Sequence, residues 1–133
     1  MSKIDEINEF VRSKSWMDFE YRKTPDGVLI IGSKDFTYYH EIEITFKNVS
    51  TYLLEEYWNV DMRKNFITLQ KEGKYLINNE DIPIEDHFVI ASEVSYNTDM
   101  VYYYKKENLK KGERLVDFLK QESGVPPQEP DDQ

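Results

Sequence analysis

The sequence predicts an α+β fold, in which an antiparallel sheet of about six to eight strands is flanked by an N-terminal and a C-terminal helix. Apolar residues recur at helical spacing near both ends of the chain. Most of the chain between them shows the period of two that is typical of half-buried strands. Short, turn-forming segments join these alternating stretches, and short links imply antiparallel neighbours.

The first predicted element is an amphipathic helix over residues 2–14. Ser2 is followed three residues later by Asp5, a spacing that resembles a helix N-cap pair. One face carries the apolar side chains that would pack across the sheet, namely Ile4, Ile7, Phe10 and Val11.

Three strands are predicted next. Residues 17–22 alternate, residues 24–27 read Thr-Pro-Asp-Gly and form a turn, and residues 28–31 return as the partner strand. A longer strand covers residues 36–47, and Asn48 marks its end or a bulge. Its apolar face carries Phe36, Tyr38, His40, Ile42, Ile44 and Phe46, and its solvated face includes Tyr39, Glu41 and Glu43.

The second half of the chain continues the sheet. A short strand begins at residue 49 and gives way to a loop region that contains Tyr57 and Trp58. The remaining elements are a hairpin of residues 66–70 and 74–77 around Glu72 and Gly73, an acidic loop over 78–85, and strands over 86–95 and 100–106.

Gly112 is predicted to open the C-terminal helix, because Leu115, Val116, Phe118 and Leu119 fall at helical spacing. We therefore expect one α+β domain over residues 1–122. Residues 123–133 are acidic and rich in proline, a composition that predicts a disordered tail.

Composition excludes several classes of function. The 133 residues include no cysteine, which excludes disulfides, thiolate metal sites and a cysteine nucleophile. The net charge of −9 argues against nucleic-acid binding, which needs clustered Lys and Arg. The N-terminus lacks the apolar core of a signal peptide, and no apolar run could cross a membrane. We expect a cytoplasmic protein that binds neither nucleic acid nor membrane.

Motifs for chemistry are weak. Gly27 to Lys34 has glycine spacing near that of a phosphate-binding loop, but the order Gly-Ser-Lys is wrong and strand formers fill the interval. His87 follows Glu85 and Asp86, yet sequential neighbours seldom converge on one cation. We predict no catalytic residue, no metal site and no cofactor. The sequence favours a protein without enzymatic activity, although it does not decide the point.

Acidic and aromatic residues point instead to a binding role. Residues 72–100 hold seven acids and one base, for a net charge of −6. Tyr and Trp are common in protein interfaces, because they bury much area and keep a polar group. The predicted contacts are Tyr39, Glu41 and Glu43 on the strand, with Tyr57, Trp58, Glu80, Asp81, Glu85 and Asp86 in loops.

In size, acidity and aromatic-rich strands the chain resembles the small acidic immunity proteins that neutralise bacterial toxins. This resemblance of composition implies a non-catalytic module that binds a protein partner, and it assigns no residue. The acidic residues themselves favour a basic partner. The alternative is a small-molecule-binding or enzymatic α+β domain with a pocket near His40 and Tyr38.

Overall fold

The computed structural model of the protein describes residues 2–116. Within them lie one α-helix, α1 (Lys3–Arg12), two single-turn 3-10 helices (Lys71–Gly73 and Ile84–Asp86) and ten strands. The strands are β1 (Asp18–Thr24), β2 (Gly27–Ser33), β3 (Tyr39–His40), β4 (Ile42–Leu53), β5 (Tyr57–Asn59), β6 (Ile67–Leu69), β7 (Lys74–Ile77), β8 (Phe88–Asn97), β9 (Met100–Tyr102) and β10 (Glu113–Leu115).

The predicted helix cap is present at the start of α1. Ser2 Oγ accepts from the Asp5 N–H at 3.1 Å, and the Ser2 N–H donates to Asp5 Oδ2 at 3.4 Å. These bonds satisfy two of the donors that a helix start leaves without partners. The helix buries Ile7 and Val11 as its apolar face predicts.

Seven strands form the main sheet in the order β5-β1-β2-β4-β8-β7-β6, and all neighbours are antiparallel. The α+β class and the antiparallel sheet are thus confirmed. One face of the sheet and α1 share a core in which the Phe19 and Phe66 rings stack with centroids 4.2 Å apart. A glycine is required at residue 32, because a Cβ there would lie only 2.3 Å from the Phe19 ring.

A bulge bends β4 where the sequence places it. Asn48 has a φ of 55°, which Asn tolerates better than most residues, and the register against β8 shifts between Val49 and Thr51. The strand then continues to Leu53, so the short strand predicted after residue 49 is the second half of β4.

The long strand predicted over residues 36–47 is interrupted. A turn at residues 36–38 precedes β3, and the chain bends at Glu41 before β4 begins. β3 leaves the main sheet and joins β9 and β10 in a three-stranded sheet of order β10-β9-β3. This break changes the surroundings of every candidate residue between 38 and 43.

The predicted C-terminal helix is wrong over the described residues. Glu113–Leu115 form β10, parallel to Met100–Tyr102. The Val116 N–H also donates to the Tyr102 C=O at 2.9 Å. A short apolar run fits a helix or a strand equally well, and pairing with a distant strand decides between them here. Residues 117–122 and the predicted tail over 123–133 lie outside the described residues.

Candidate functional site

Two regions contain most of the predicted site residues. One, here called the polar seam, comprises His40, Glu43, Tyr103 and Arg114, which join the small sheet to β4 of the main sheet. The other, here called the acidic edge, comprises Tyr57 and the exposed carboxylates around β5. These are Glu55, Glu56, Glu80, Asp81, Glu85 and Asp86.

His40 is the centre of the polar seam. Its side chain is 1% exposed, its Nε2 lies 2.7 Å from Glu43 Oε2, and its Nδ1 lies 2.7 Å from the Tyr103 hydroxyl. An ionised carboxylate only accepts hydrogen bonds, so Nε2 donates to Glu43. Both ring nitrogens of His40 are thereby engaged within the protein.

Glu43 accepts hydrogen bonds from three side chains. Besides His40, the Asn97 side chain donates to it at 2.9 Å, and the Arg114 guanidinium donates to the same oxygen. Burial opposes its ionisation, but the bonds from His40 and Asn97 and the charge of Arg114 outweigh burial and hold the pKa of Glu43 at about 2. Arg114 also bridges to Asp99 at 3.0 Å, which fixes β10 against the β8–β9 turn.

The two residues of the alternative pocket, Tyr38 and His40, differ in their surroundings. Tyr38 is 54% exposed and its ring meets Tyr104, whereas His40 is buried against Tyr103. A surface groove of about 650 Å³ lies elsewhere, beside the β6–β7 turn and β8. Within residues 2–116, the rings of Tyr38 and His40 thus contact different tyrosines.

The expectation of a solvated strand face is wrong for Glu41. Its side chain is buried at the bend between β3 and β4, and Oε1 lies 3.1 Å from Lys14 Nζ at the end of α1. The interruption of the long strand accounts for this position, because the bend turns Glu41 out of the alternation. Tyr39 is half-buried beside Tyr102. Glu41 thus connects the β3–β4 bend to the end of α1, Tyr39 contacts β9, and Glu43 connects β4 to β10.

A Glu43→Gln variant measures how much the polar seam stabilises the fold. We expect a loss of about 2 kcal/mol of unfolding free energy at pH 7, because hydrogen bonds to a charged group are lost. The folded pKa of about 2 lies below the ordinary value of 4.5, so the stabilisation is complete above pH 4.5 and declines as pH falls towards 2.

The measurement is urea unfolding of the wild type and the variant at several pH values. The difference in unfolding free energy between the wild type and Glu43→Gln should become smaller as the pH falls below 4.5. Glu93→Gln, at an exposed site on β8, serves as the control and should unfold with nearly the same free energy as the wild type. A difference in unfolding free energy between the wild type and Glu43→Gln that stays constant from pH 7 to pH 3 would contradict this account of the polar seam.

The acidic edge surrounds β5, which is the last strand on its side of the main sheet. The Glu80 N–H donates to the Asn59 C=O at 2.9 Å, so the acidic loop lies directly beside β5. The Glu55 N–H donates to His87 Nε2 at 3.0 Å, which places the chain before β5 next to the residue that follows Asp86. The structure thus gathers acidic residues that are distant in sequence.

Tyr57 stands exposed within this edge. Its side chain is 53% exposed, and its hydroxyl donates to Asp18 on the neighbouring strand. Burial of the hydroxyl, the hydrogen bond to Asp18 and the charges of Asp18 and Glu20 raise the pKa of Tyr57 to about 12. Asp18 Oδ1 is buried and accepts no hydrogen bond within residues 2–116. The carboxylate beside Tyr57 thus keeps one oxygen without a hydrogen-bond partner in this part of the chain.

Trp58 is not a loop residue. It lies in β5 and is 3% exposed, with its ring stacked on Phe19 and perpendicular to His87. Strand alternation explains the contrast with Tyr57, since consecutive side chains point to opposite faces. The structure thus buries a residue that was expected to contact the partner.

His87 anchors the acidic segment to the core. It is 1% exposed, and its Nδ1 lies 3.0 Å from the Ile77 C=O, to which it donates. Its Nε2 accepts from the Glu55 N–H, so the ring is neutral in this arrangement. Burial lowers the pKa of His87, and the Ile77 and Glu55 interactions oppose that shift only in part.

Sequence reasoning missed three residues with structural roles. Asn8 is buried in α1 and bonds both backbone groups of Ile67, while Tyr103 and Arg114 complete the polar seam. The signal for Asn8 was present, because it lies next to Ile7 on the apolar side of an amphipathic helix. Arg114 gave no local signal, since its partners are distant in sequence.

No protein-family model, curated protein or solved structure matches this chain. Among residues 2–116, no group of three or more His, Asp or Glu side chains could hold a metal ion. None of the helices in that part of the chain is long and apolar enough to cross a membrane.

Proposed function

We propose that the protein is a non-catalytic binding module whose acidic edge binds a basic protein partner. The observation that carries this proposal is the exposure of four acidic loop residues beside an exposed tyrosine at the end of the sheet. Complementary charge speeds association and selects the partner, and an exposed aromatic ring adds contact area. The four loop residues are Glu80, Asp81, Glu85 and Asp86.

The arrangement of partners supports this choice over the polar seam. The carboxylates of Glu43 and Glu41 are already paired with cations of the fold: Glu43 with Arg114, and Glu41 with Lys14. A charge that is paired within the fold contributes little attraction to a partner. An inhibitor of a basic protein, of the kind that the immunity proteins represent, is the form of this function that the composition favours.

The test compares two variants with the same change of net charge. In the edge variant, Glu80, Asp81, Glu85 and Asp86 become Gln or Asn. In the control variant, four exposed acidic residues elsewhere on the surface are changed in the same way, namely Glu9, Asp26, Glu72 and Glu93.

Tagged wild type and both variants are incubated with host lysate at low and moderate salt, and the captured proteins are quantified by mass spectrometry. We expect the wild type and the control variant to retain one basic protein in stoichiometric amount. The edge variant should retain about tenfold less, and moderate salt should release the partner from all three. Equal capture by both variants, or a partner that salt does not release, would contradict the proposal.

A further inference from the structure

The two ends of the main sheet differ in how their backbone groups are used. At β6, the Asn8 side chain accepts from the Ile67 N–H at 2.8 Å and donates to the Ile67 C=O at 2.9 Å. It thus occupies the positions that a further strand would take. After β6 the chain turns directly into β7, and a hydrogen bond from the Gln70 N–H to the Lys74 C=O closes this turn. Blocking of this kind is a common protection of sheet edges.

At β5 the outer side is less protected. The Asn59 C=O accepts from Glu80, which is not a residue of β1, so the backbone groups of Asn59 point away from the neighbouring strand. Residues two apart in a strand share this direction, which places the N–H and C=O of Tyr57 on the outer side as well. No strand within residues 2–116 lies beyond them.

We propose that an extended segment of the partner adds to β5 as a further strand, a mode that rests on the proposed function. Main-chain hydrogen bonds to Tyr57 would supply the register, and side-chain pairs across the new junction would supply selectivity.

The side chains around β5 define the segment that fits. On the face opposite the core, Tyr57 is half exposed and lies beside Asp18 of β1, which favours a Lys or Arg of the added strand next to the Tyr57 ring. On the other face, Trp58 belongs to the apolar core, which favours an apolar residue. A segment that alternates basic and apolar residues satisfies both faces.

The probe is the peptide acetyl-(Lys-Val)4-amide, and its charge-matched control is the same peptide with every backbone amide N-methylated. Strand addition predicts that the wild-type protein binds the first peptide at least about tenfold more tightly, because N-methylation removes the donors of a strand. Hydrogen exchange at the Tyr57 amide should slow about tenfold when the first peptide is bound.

A Tyr57→Pro variant removes the outer N–H and keeps the charge of the edge. It should reduce binding of the unmethylated peptide about tenfold and leave the weak binding of the methylated peptide unchanged. Tyr57→Phe, which keeps the N–H, should bind as the wild type does. If Tyr57→Pro does not fold, the peptide pair and the exchange measurement still decide the question.

Equal affinity for the two peptides, with no slowing at Tyr57, would overturn strand addition. If the edge variant then bound both peptides more weakly than the control variant, the acidic edge would still be the binding surface. If the edge and control variants bound them equally, the proposed function would fail as well.

Discussion

Replacing Trp58 with alanine is expected to destabilise the fold by about 3–5 kcal/mol, because it removes a large buried ring and leaves a cavity. The side chain is 3% exposed and contacts Phe19 and His87. A loss of this size should lower the Tm by roughly 10 °C or more for a domain of this length. Thermal unfolding followed by circular dichroism measures it.

The neighbouring residue provides the control. Tyr57→Ala removes an exposed ring on the opposite face of β5 and should cost only about 1 kcal/mol. Trp58→Phe keeps an aromatic ring, and the indole N–H that it removes has no hydrogen-bond partner within residues 2–116, so its cost should lie between the two. A Trp58→Ala protein as stable as the wild type would contradict the placement of this ring in the core.

Asn8→Ala is expected to cost about 2–5 kcal/mol, although it changes a helix residue to the best helix former. The Asn8 amide satisfies both backbone groups of Ile67 in a buried setting, and each group left unpaired costs about 1–3 kcal/mol. Urea unfolding measures the loss, and amide exchange at Ile67 should speed up in the variant.

Glu9→Ala tests whether the effect belongs to the helix or to the sheet edge. Glu9 is exposed one position along α1, so its replacement should change stability by less than about 0.5 kcal/mol. Similar small effects for both substitutions would show that the bonds to Ile67 do not protect the edge of β6.

Local patterns predict the larger part of this fold. The helix cap, the first hairpin and the bulge at Asn48 each follow from a signal within a few residues. The failures involve pairing over long distances. β10 is three residues long and is held by parallel pairing with β9, which no local periodicity reveals.

Among the candidate site residues, those in polar loops were predicted correctly to be exposed, whereas those near strand ends were not. Glu80 and Asp86 are exposed as the composition of their loop predicts, because polar loops lie at the surface. Trp58 and Glu41 are buried against expectation, since their positions depend on where one strand ends and another begins. That β5 is an edge strand follows only from the order of strands in the sheet.

The most direct test of a binding surface at the acidic edge is an amide chemical-shift map of the ¹⁵N-labelled full chain. The protein is titrated at low salt with acetyl-(Lys-Val)4-amide, so that every backbone amide reports on the contact. We expect the largest shifts at the amides of Tyr57, Asn59, residues 80–82 and residues 84–86, and their loss at moderate salt. Largest shifts at β6, or at the control carboxylates Glu9 and Glu72, would contradict the account.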